Sequence, residues 1–140
     1  ICSMAKILAI DFGLKRTGLA ITDSQQILAT PLETVASEKL MSRIVELVEL
    51  ESIQEIVLGY PTQLDGQPTH ITQNVILLQE ALHKTLKTVT IHLQNEQFSS
   101  KRAQQAVYLG GKKKQLKSKE LIDRVSAAII LQDFLSLRNP

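Results

Sequence analysis

Three acidic residues, Asp11, Glu96 and Asp123, stand where a fold could bring their carboxylates together. Asp11 comes directly after the apolar residues 7–10, and Glu96 follows the β-branched stretch of residues 88–93. An ionised carboxylate beside an apolar core is costly unless a cation meets it. Hard divalent ions such as Mg²⁺ and Mn²⁺ prefer oxygen ligands of this kind. We therefore interpret these acids as candidate metal ligands.

The third acid, Asp123, begins a stripe of residues with helical spacing. It is followed on one face of a helix predicted over residues 118–137 by four apolar residues, Ala127, Ile130, Phe134 and Leu137. We expect this face to pack on a sheet. Taken alone, Asp123 is better explained as an early-helix acid that the helix dipole favours. Its interpretation as a ligand depends on where Asp11 and Glu96 lie.

The elements that must position these acids can be predicted from short apolar segments. Strands are predicted over residues 7–10, 19–22, 27–34, 55–58 and 88–93. Helices are predicted between the later strands, the first one capped by Ser37, and a further helix starts at Ser99 or Ser100. Short turns predict an antiparallel meander for the first three strands, and strand-helix-strand units predict parallel pairing for the rest. The order predicts a mixed α/β sheet whose ligands gather at the carboxyl ends of its parallel strands.

Composition limits the class of protein. The chain has 140 residues, of which 44% are hydrophobic, and this predicts one domain over residues 4–138. The first three residues precede Met4 and are expected to be a cloning remnant. The single cysteine, Cys2, lies in that remnant, so disulfide scaffolds, Cys-ligated metals and thiol nucleophiles are excluded for the rest. Without a membrane-length apolar run or a signal peptide, the expected location is the cytoplasm.

Positive charge is concentrated near the end of the chain. The net charge is +2, yet residues 97–119 hold seven basic residues and no acid. Such a segment is either a solvated loop or the binding surface for a polyanion. Two divalent ions about 4 Å apart can clamp a phosphodiester, so an acidic site beside basic residues favours a nuclease. The basic residues are Lys101, Arg102, Lys112, Lys113, Lys114, Lys117 and Lys119.

The same residues resemble a known family. The matching blocks are residues 11–20 (DFGLKRTGLA), 57–61 (VLGYP) with 64–66 (LDG), 95–100 (NEQFSS) and 122–128 (IDRVSAA) with 130–132 (ILQ). In their order and spacing the chain resembles the YqgF/RuvX family, which comprises Holliday-junction-resolvase-like proteins also described as pre-16S rRNA nucleases. The resemblance extends over nearly the whole chain from Met4.

The resemblance implies an RNase H-like three-layer α/β/α fold around a five-stranded mixed sheet. It implies that Asp11, Glu96 and Asp123 are catalytic and bind Mg²⁺ or Mn²⁺, as two ions. Lys15 and Arg16 would face the nucleic-acid backbone, and residues 112–119 would be a basic segment before the last helix. The implied activity is phosphodiester hydrolysis in maturation of the 16S rRNA 5′ end. The implied alternative is resolution of Holliday junctions in DNA recombination and repair.

One departure from the family pattern supports a second hypothesis. The middle acid is typically flanked as Asp-Glu-Arg, and here the three residues are Asn95, Glu96 and Gln97. The two changes cancel in net charge but remove a carboxylate and a bidentate phosphate donor. The chain is therefore either a metal-dependent nuclease or a non-catalytic nucleic-acid-binding module. The choice between RNA and branched DNA, and between monomer and homodimer, stays open at this stage.

Overall fold

The computed structural model describes residues 5–61, 70–96 and 119–138, which form a mixed sheet with helices on both faces. A 3₁₀ turn, Ser37–Lys39, leads into the first helix. The strands are β1 (Lys6–Asp11), β2 (Arg16–Thr22), β3 (Ala29–Ala36), β4 (Ile53–Pro61) and β5 (Thr90–Glu96), and the helices are α1 (Leu40–Glu51), α2 (His70–Thr85) and α3 (Lys119–Arg138).

The strand order is β3-β2-β1-β4-β5, with β1 at the centre. The pairings of β1 with β2 and of β2 with β3 are antiparallel, whereas β4 pairs in parallel with β1 and with β5. The predicted meander and the predicted parallel strands are both confirmed. Because β1, β4 and β5 run the same way, their carboxyl ends meet at one edge of the sheet. Asp11 and Glu96 are the last residues of β1 and β5, so both lie at this edge.

Side chains of β1 alternate between two apolar cores. Leu8 and Ile10 belong to the core that α1 and α2 cover, while Ile7 and Ala9 belong to the core that α3 covers. The three layers are therefore α1 and α2, the sheet, and α3. Alternation along a strand assigns Asp11 to the face of Ile7 and Ala9, which is the face of α3.

Helix α3 buries a slightly different stripe from the predicted one. Ala127 and Ile130 are fully buried, as expected, but Leu137 is 73% exposed and the prediction of its burial was wrong. Leu131 and Leu135 are buried in its place. A strict seven-residue step drifts by about 20° per heptad in a straight helix, and Leu137 also lies in the last turn.

Strand β3 begins two residues later than predicted. Ile27 and Leu28 are more than half exposed and lie in the turn before the strand. The Asp23 carboxylate accepts hydrogen bonds from the backbone N–H groups of Ile27 (2.8 Å) and Leu28 (3.1 Å). This side chain therefore keeps both residues in the turn, although their β-propensity favours a strand.

The prediction that Ser37 caps the first helix was also wrong. Ser37 lies within the 3₁₀ turn, and Lys39, which precedes α1, makes no side-chain capping bond. The Ser37 hydroxyl instead bonds to the loop between β1 and β2, as described below. The described helices include none that is both long and apolar enough to cross a membrane.

Candidate metal and nucleic-acid site

Asp11 lies at the carboxyl end of the central strand, between two glycines. Its cross-strand partner in β2 is Gly18 and its partner in β4 is Gly59. Neither glycine has a side chain, so no side chain flanks the Asp11 carboxylate within its row of the sheet. Space beside a carboxylate at a sheet edge is what a bound cation with further ligands requires.

Asp123 reaches this position because α3 touches the sheet at Gly18. A β-carbon built on Gly18 would lie 2.0 Å from the carbonyl oxygen of Asp123, so the two backbones are in direct contact. Gly18 is therefore required for close approach, since any side chain here would collide with the backbone of α3. Since Gly18 is also the partner of Asp11, the contact brings the first turns of α3 to the end of β1.

The electrostatics confirm that the two aspartates are neighbours. Burial, and secondly the negative charge of Asp123, raise the pKa of Asp11 from 3.8 to about 7. Burial disfavours the ionised form because water no longer solvates it, and a second carboxylate adds repulsion. A divalent cation between the two would reverse both effects. Two carboxylates placed in this way fit a hard divalent ion, and they are the donor set that such an ion prefers.

Arg16 is a cationic side chain that the structure places against Asp123. Its Nε donates to Asp123 Oδ2 at 3.0 Å, and the two side chains are 36% and 24% exposed. The sequence predicted that Arg16 faces nucleic acid, but its contact with Asp123 could not be foreseen. The two residues are 107 positions apart, and no local pattern connects them.

Ser37 makes two hydrogen bonds to the loop between β1 and β2. The Ser37 hydroxyl donates to the carbonyl of Gly13 at 2.6 Å, and the Ser37 N–H donates to the carbonyl of Lys15 at 2.9 Å. Because that single hydroxyl proton goes to Gly13, the buried Thr17 hydroxyl donates to Ser37 Oγ at 2.8 Å. Ser37 therefore fixes the loop that presents Lys15 and Arg16, a role that sequence reasoning missed because a serine before a helix predicts a cap.

Glu96 is described only through its backbone. It pairs with Pro61 of β4, two residues beyond the row that contains Asp11 and Gly59. One strand lies between Glu96 and Asp11, and with the two-residue offset along the strands their backbones are about 12 Å apart. In the part of the chain that the structure describes, no three His, Cys, Asp or Glu side chains are grouped to hold a metal ion.

The predicted basic residues are described in part. Lys15 is exposed on the loop between β1 and β2, and Lys119 is the first residue of α3. The helix predicted to start at Ser99 or Ser100 lies outside the described residues, and so does Gln97, which departs from the family pattern. Most of the basic segment also lies outside them: Lys101, Arg102, Lys112, Lys113, Lys114 and Lys117.

Comparison with known proteins gives matches over nearly the full length. Residues 5–137 match the RuvX family, described as Holliday junction resolvase. A relative from Phocaeicola vulgatus named "Putative pre-16S rRNA nuclease" is 41% identical over 133 residues, covering 94% of this chain and 96% of its own. A relative of the same name from Amoebophilus asiaticus is 40% identical over 134 residues, covering 95% of each chain.

Among solved structures, the chain is similar to RuvC of T. thermophilus in complex with a Holliday junction substrate. The TM-score is 0.56 at 15% sequence identity, and 96% of each chain is covered. The separate Thermus thermophilus RuvC structure gives the same TM-score at 14% identity, with 95% of each chain covered. At this level of identity the likeness concerns the fold, and it confirms the RNase H-like arrangement predicted from the sequence.

Proposed function

Because the chain belongs to the RuvX family, a family of nucleases, we propose that it is a metal-dependent nuclease acting on the 5′ end of precursor 16S rRNA. The substrate is inferred from the name that the curated relatives share. Ribosome maturation would place the protein in the cytoplasm.

The observation that carries this proposal is the pairing of Asp11 with Asp123 at the edge of the sheet where β1 ends. A buried carboxylate whose pKa is raised by a neighbouring acid, as that of Asp11 is by Asp123, destabilises the fold when ionised unless a cation joins the pair. Gly18 allows α3 to approach the sheet closely and so keeps the two carboxylates together. We interpret this arrangement as a binding site for a ligand that both carboxylates contact. A divalent cation is the ligand of matching charge and chemistry.

In this proposal Asp11, Glu96 and Asp123 hold the ions, two of Mg²⁺ or Mn²⁺. Glu96 joins from β5, since it ends the strand beside β4 at the same edge of the sheet. The cations would stabilise the charge that develops on the phosphodiester oxygens during hydrolysis. The protein's part is to fix the carboxylates in place, and the backbone contact between Gly18 and Asp123 and the central position of β1 serve this purpose.

The basic residues would hold the nucleic acid. Lys15 is exposed on the loop that follows Asp11, so its ammonium group can meet a phosphate next to the one that is cleaved. Lys101, Arg102 and the lysines of residues 112–119 are proposed to extend this contact along the strand, because they form an acid-free basic segment. Phosphate contacts give affinity without sequence preference, so the choice of substrate must depend on other contacts.

A second candidate function is the resolution of branched DNA. The description of the matching family as Holliday junction resolvase favours it. A third, the binding module without cleavage, is motivated by Asn95 and Gln97 beside Glu96.

One cleavage assay separates the three. A labelled 16S precursor 5′-leader RNA and a labelled four-way DNA junction are incubated with the protein in Mg²⁺, Mn²⁺ or EDTA. We expect metal-dependent cleavage of the RNA by the wild type and none by Asp11→Asn. Glu38→Gln, which removes an exposed acid from the 3₁₀ turn, is the control and should cleave normally. Cleavage of the junction alone would favour the resolvase, and binding without cleavage of either would contradict a nuclease.

A further inference from the structure

The contact between Arg16 and Asp123 differs from other arginine ion pairs of this structure. Arg43 contacts Glu33 through two nitrogens, at 2.9 and 2.6 Å, and Arg138 contacts Glu55 through both terminal nitrogens. Arg16 contacts Asp123 through Nε alone. Among the backbone groups and side chains whose positions the structure describes, no acceptor is found for its two terminal NH₂ groups.

A pair of this kind is readily exchanged. Single-contact ion pairs with partly exposed side chains are weak, because solvent screens the attraction and two long side chains must be ordered. A divalent cation carries twice the charge of a guanidinium and can contact Asp11 as well as Asp123. We therefore expect it to displace Arg16 from the carboxylate.

The following inference rests on the proposed function. We propose that Arg16 is the counter-ion of Asp123 while no divalent cation is bound, and that binding of the divalent cation releases Arg16 to a substrate phosphate. In the first state Arg16 offsets part of the repulsion around Asp123. In the second state its planar guanidinium is free for a bidentate phosphate contact. Arg16 opens β2 directly after the exposed Lys15, and both residues lie at the edge of the sheet where β1 ends in Asp11.

The exchange couples cation and nucleic acid binding. If the cation frees Arg16 for phosphate, then nucleic acid that holds Arg16 also frees Asp123 for the cation. Each ligand then raises the affinity for the other by the same factor. The site would thereby stay weak toward cations until a substrate is present.

The first test measures Mn²⁺ affinity by titration calorimetry at pH 8 without nucleic acid. Arg16→Gln should bind Mn²⁺ about fivefold more tightly than the wild type, because the competing ion pair is gone. Lys15→Gln removes the neighbouring charge but no ion pair, and its affinity should stay within about twofold of the wild type. Equal gains in both variants, or none in Arg16→Gln, would overturn the counter-ion role and leave the metal site intact. No binding by the wild type would overturn the proposed metal site itself.

The second test measures binding of a short single-stranded RNA in EDTA and in Ca²⁺, with the RNA checked for cleavage afterwards. Arg16→Gln should match the wild type in EDTA, where Arg16 is held by Asp123, and bind at least about fivefold more weakly in Ca²⁺. Lys15→Gln should weaken binding equally in both conditions. Equal weakening of Arg16→Gln with and without Ca²⁺ would show that Arg16 is a constant phosphate contact and would overturn the exchange.

Discussion

The backbone of Asp123 rests directly on Gly18: a β-carbon on the glycine would lie 2.0 Å from the Asp123 carbonyl oxygen. Gly18 is also the partner of Asp11 across the β1–β2 ladder. One glycine therefore sets the spacing between a strand that ends in one carboxylate and a helix that carries another. This relationship joins the packing of α3 to the chemistry of the site.

The first prediction concerns Gly18→Ala. The new methyl group must push α3 away from β2, so we expect a loss of about 3 kcal/mol of unfolding free energy and a marked loss of Mn²⁺ affinity. Urea unfolding and calorimetry at a temperature where the variant is folded measure the two effects. The control is Leu47→Ala, which creates a cavity between α1 and the opposite face of the sheet. It should lower the unfolding free energy by a similar amount and leave the Mn²⁺ affinity normal. Normal Mn²⁺ affinity in Gly18→Ala would contradict the positioning role.

The second prediction concerns pH and the metal-free protein. The folded-state pKa of Asp11, raised to about 7 from 3.8, means that the folded chain binds this proton more tightly than the unfolded chain. Stability from this group is therefore complete below pH 4 and is lost as the pH rises through 7. The asparagine of Asp11→Asn does not ionise, so the variant does not lose stability as the pH rises. Its unfolding free energy should exceed that of the wild type by up to about 4 kcal/mol above pH 8 and by little at pH 4.

Urea unfolding in EDTA across this pH range measures the difference. Adding millimolar Mg²⁺ at pH 8 should stabilise the wild type and leave Asp11→Asn unchanged, because only the wild type keeps the pair of carboxylates. A stability difference that does not vary with pH, or one that favours the wild type in EDTA, would contradict the assignment.

The third prediction concerns Ser37, which supports the loop between β1 and β2. Ser37→Ala removes the bond to the Gly13 carbonyl and leaves the buried Thr17 hydroxyl without its acceptor. We expect a loss of about 1–3 kcal/mol in urea unfolding. The control is Ser42→Ala, which removes only an exposed hydrogen bond to the Lys39 carbonyl. It should lower the unfolding free energy by about 0.5 kcal/mol. Equal effects of the two substitutions would show that the loop does not depend on Ser37.

The fourth prediction concerns the ion pair at the other end of the α3 face. Hydrogen bonds from Arg138, and to a lesser extent from His92, lower the pKa of Glu55 in spite of its partial burial. A lowered folded-state pKa contributes stability above pH 4.5 that is lost as the pH falls through the folded value. Glu55→Gln should therefore be less stable than the wild type at pH 7, with the difference vanishing in acid. Its Mn²⁺ affinity should be unchanged, and a reduced affinity would show that the effects of the site variants are not specific.

Much of the fold could be predicted because its determinants are local. The apolar run of β1, the spacing of Ile44 and Leu47 in α1 and the short connections between the first strands each leave a signal within a few residues. The antiparallel pairing of the first strands and the parallel pairing of the later ones then follow from the rules for short and long connections. The errors occurred where a single side chain decided between two local structures, as the Asp23 carboxylate does before β3.

Acidic residues of the candidate site could be predicted from the sequence, but the contacts that position them could not. Asp11 was visible as a carboxylate that ends a buried strand, and Asp123 as the one polar member of an apolar stripe. The ion pair of Arg16 with Asp123 joins residues far apart in the chain, so only the packing of α3 on β2 creates it. Ser37 bonds to a loop 24 residues earlier, which the local pattern of a serine before a helix could not reveal.

An anomalous difference map from crystals grown in Mn²⁺ at pH 8 shows directly whether Asp11 and Asp123 share a divalent cation. We expect a peak within about 2.5 Å of a carboxylate oxygen of both residues, with Arg16 displaced from Asp123. A map without a peak at this edge of the sheet, in crystals where Arg16 still contacts Asp123, would contradict this expectation.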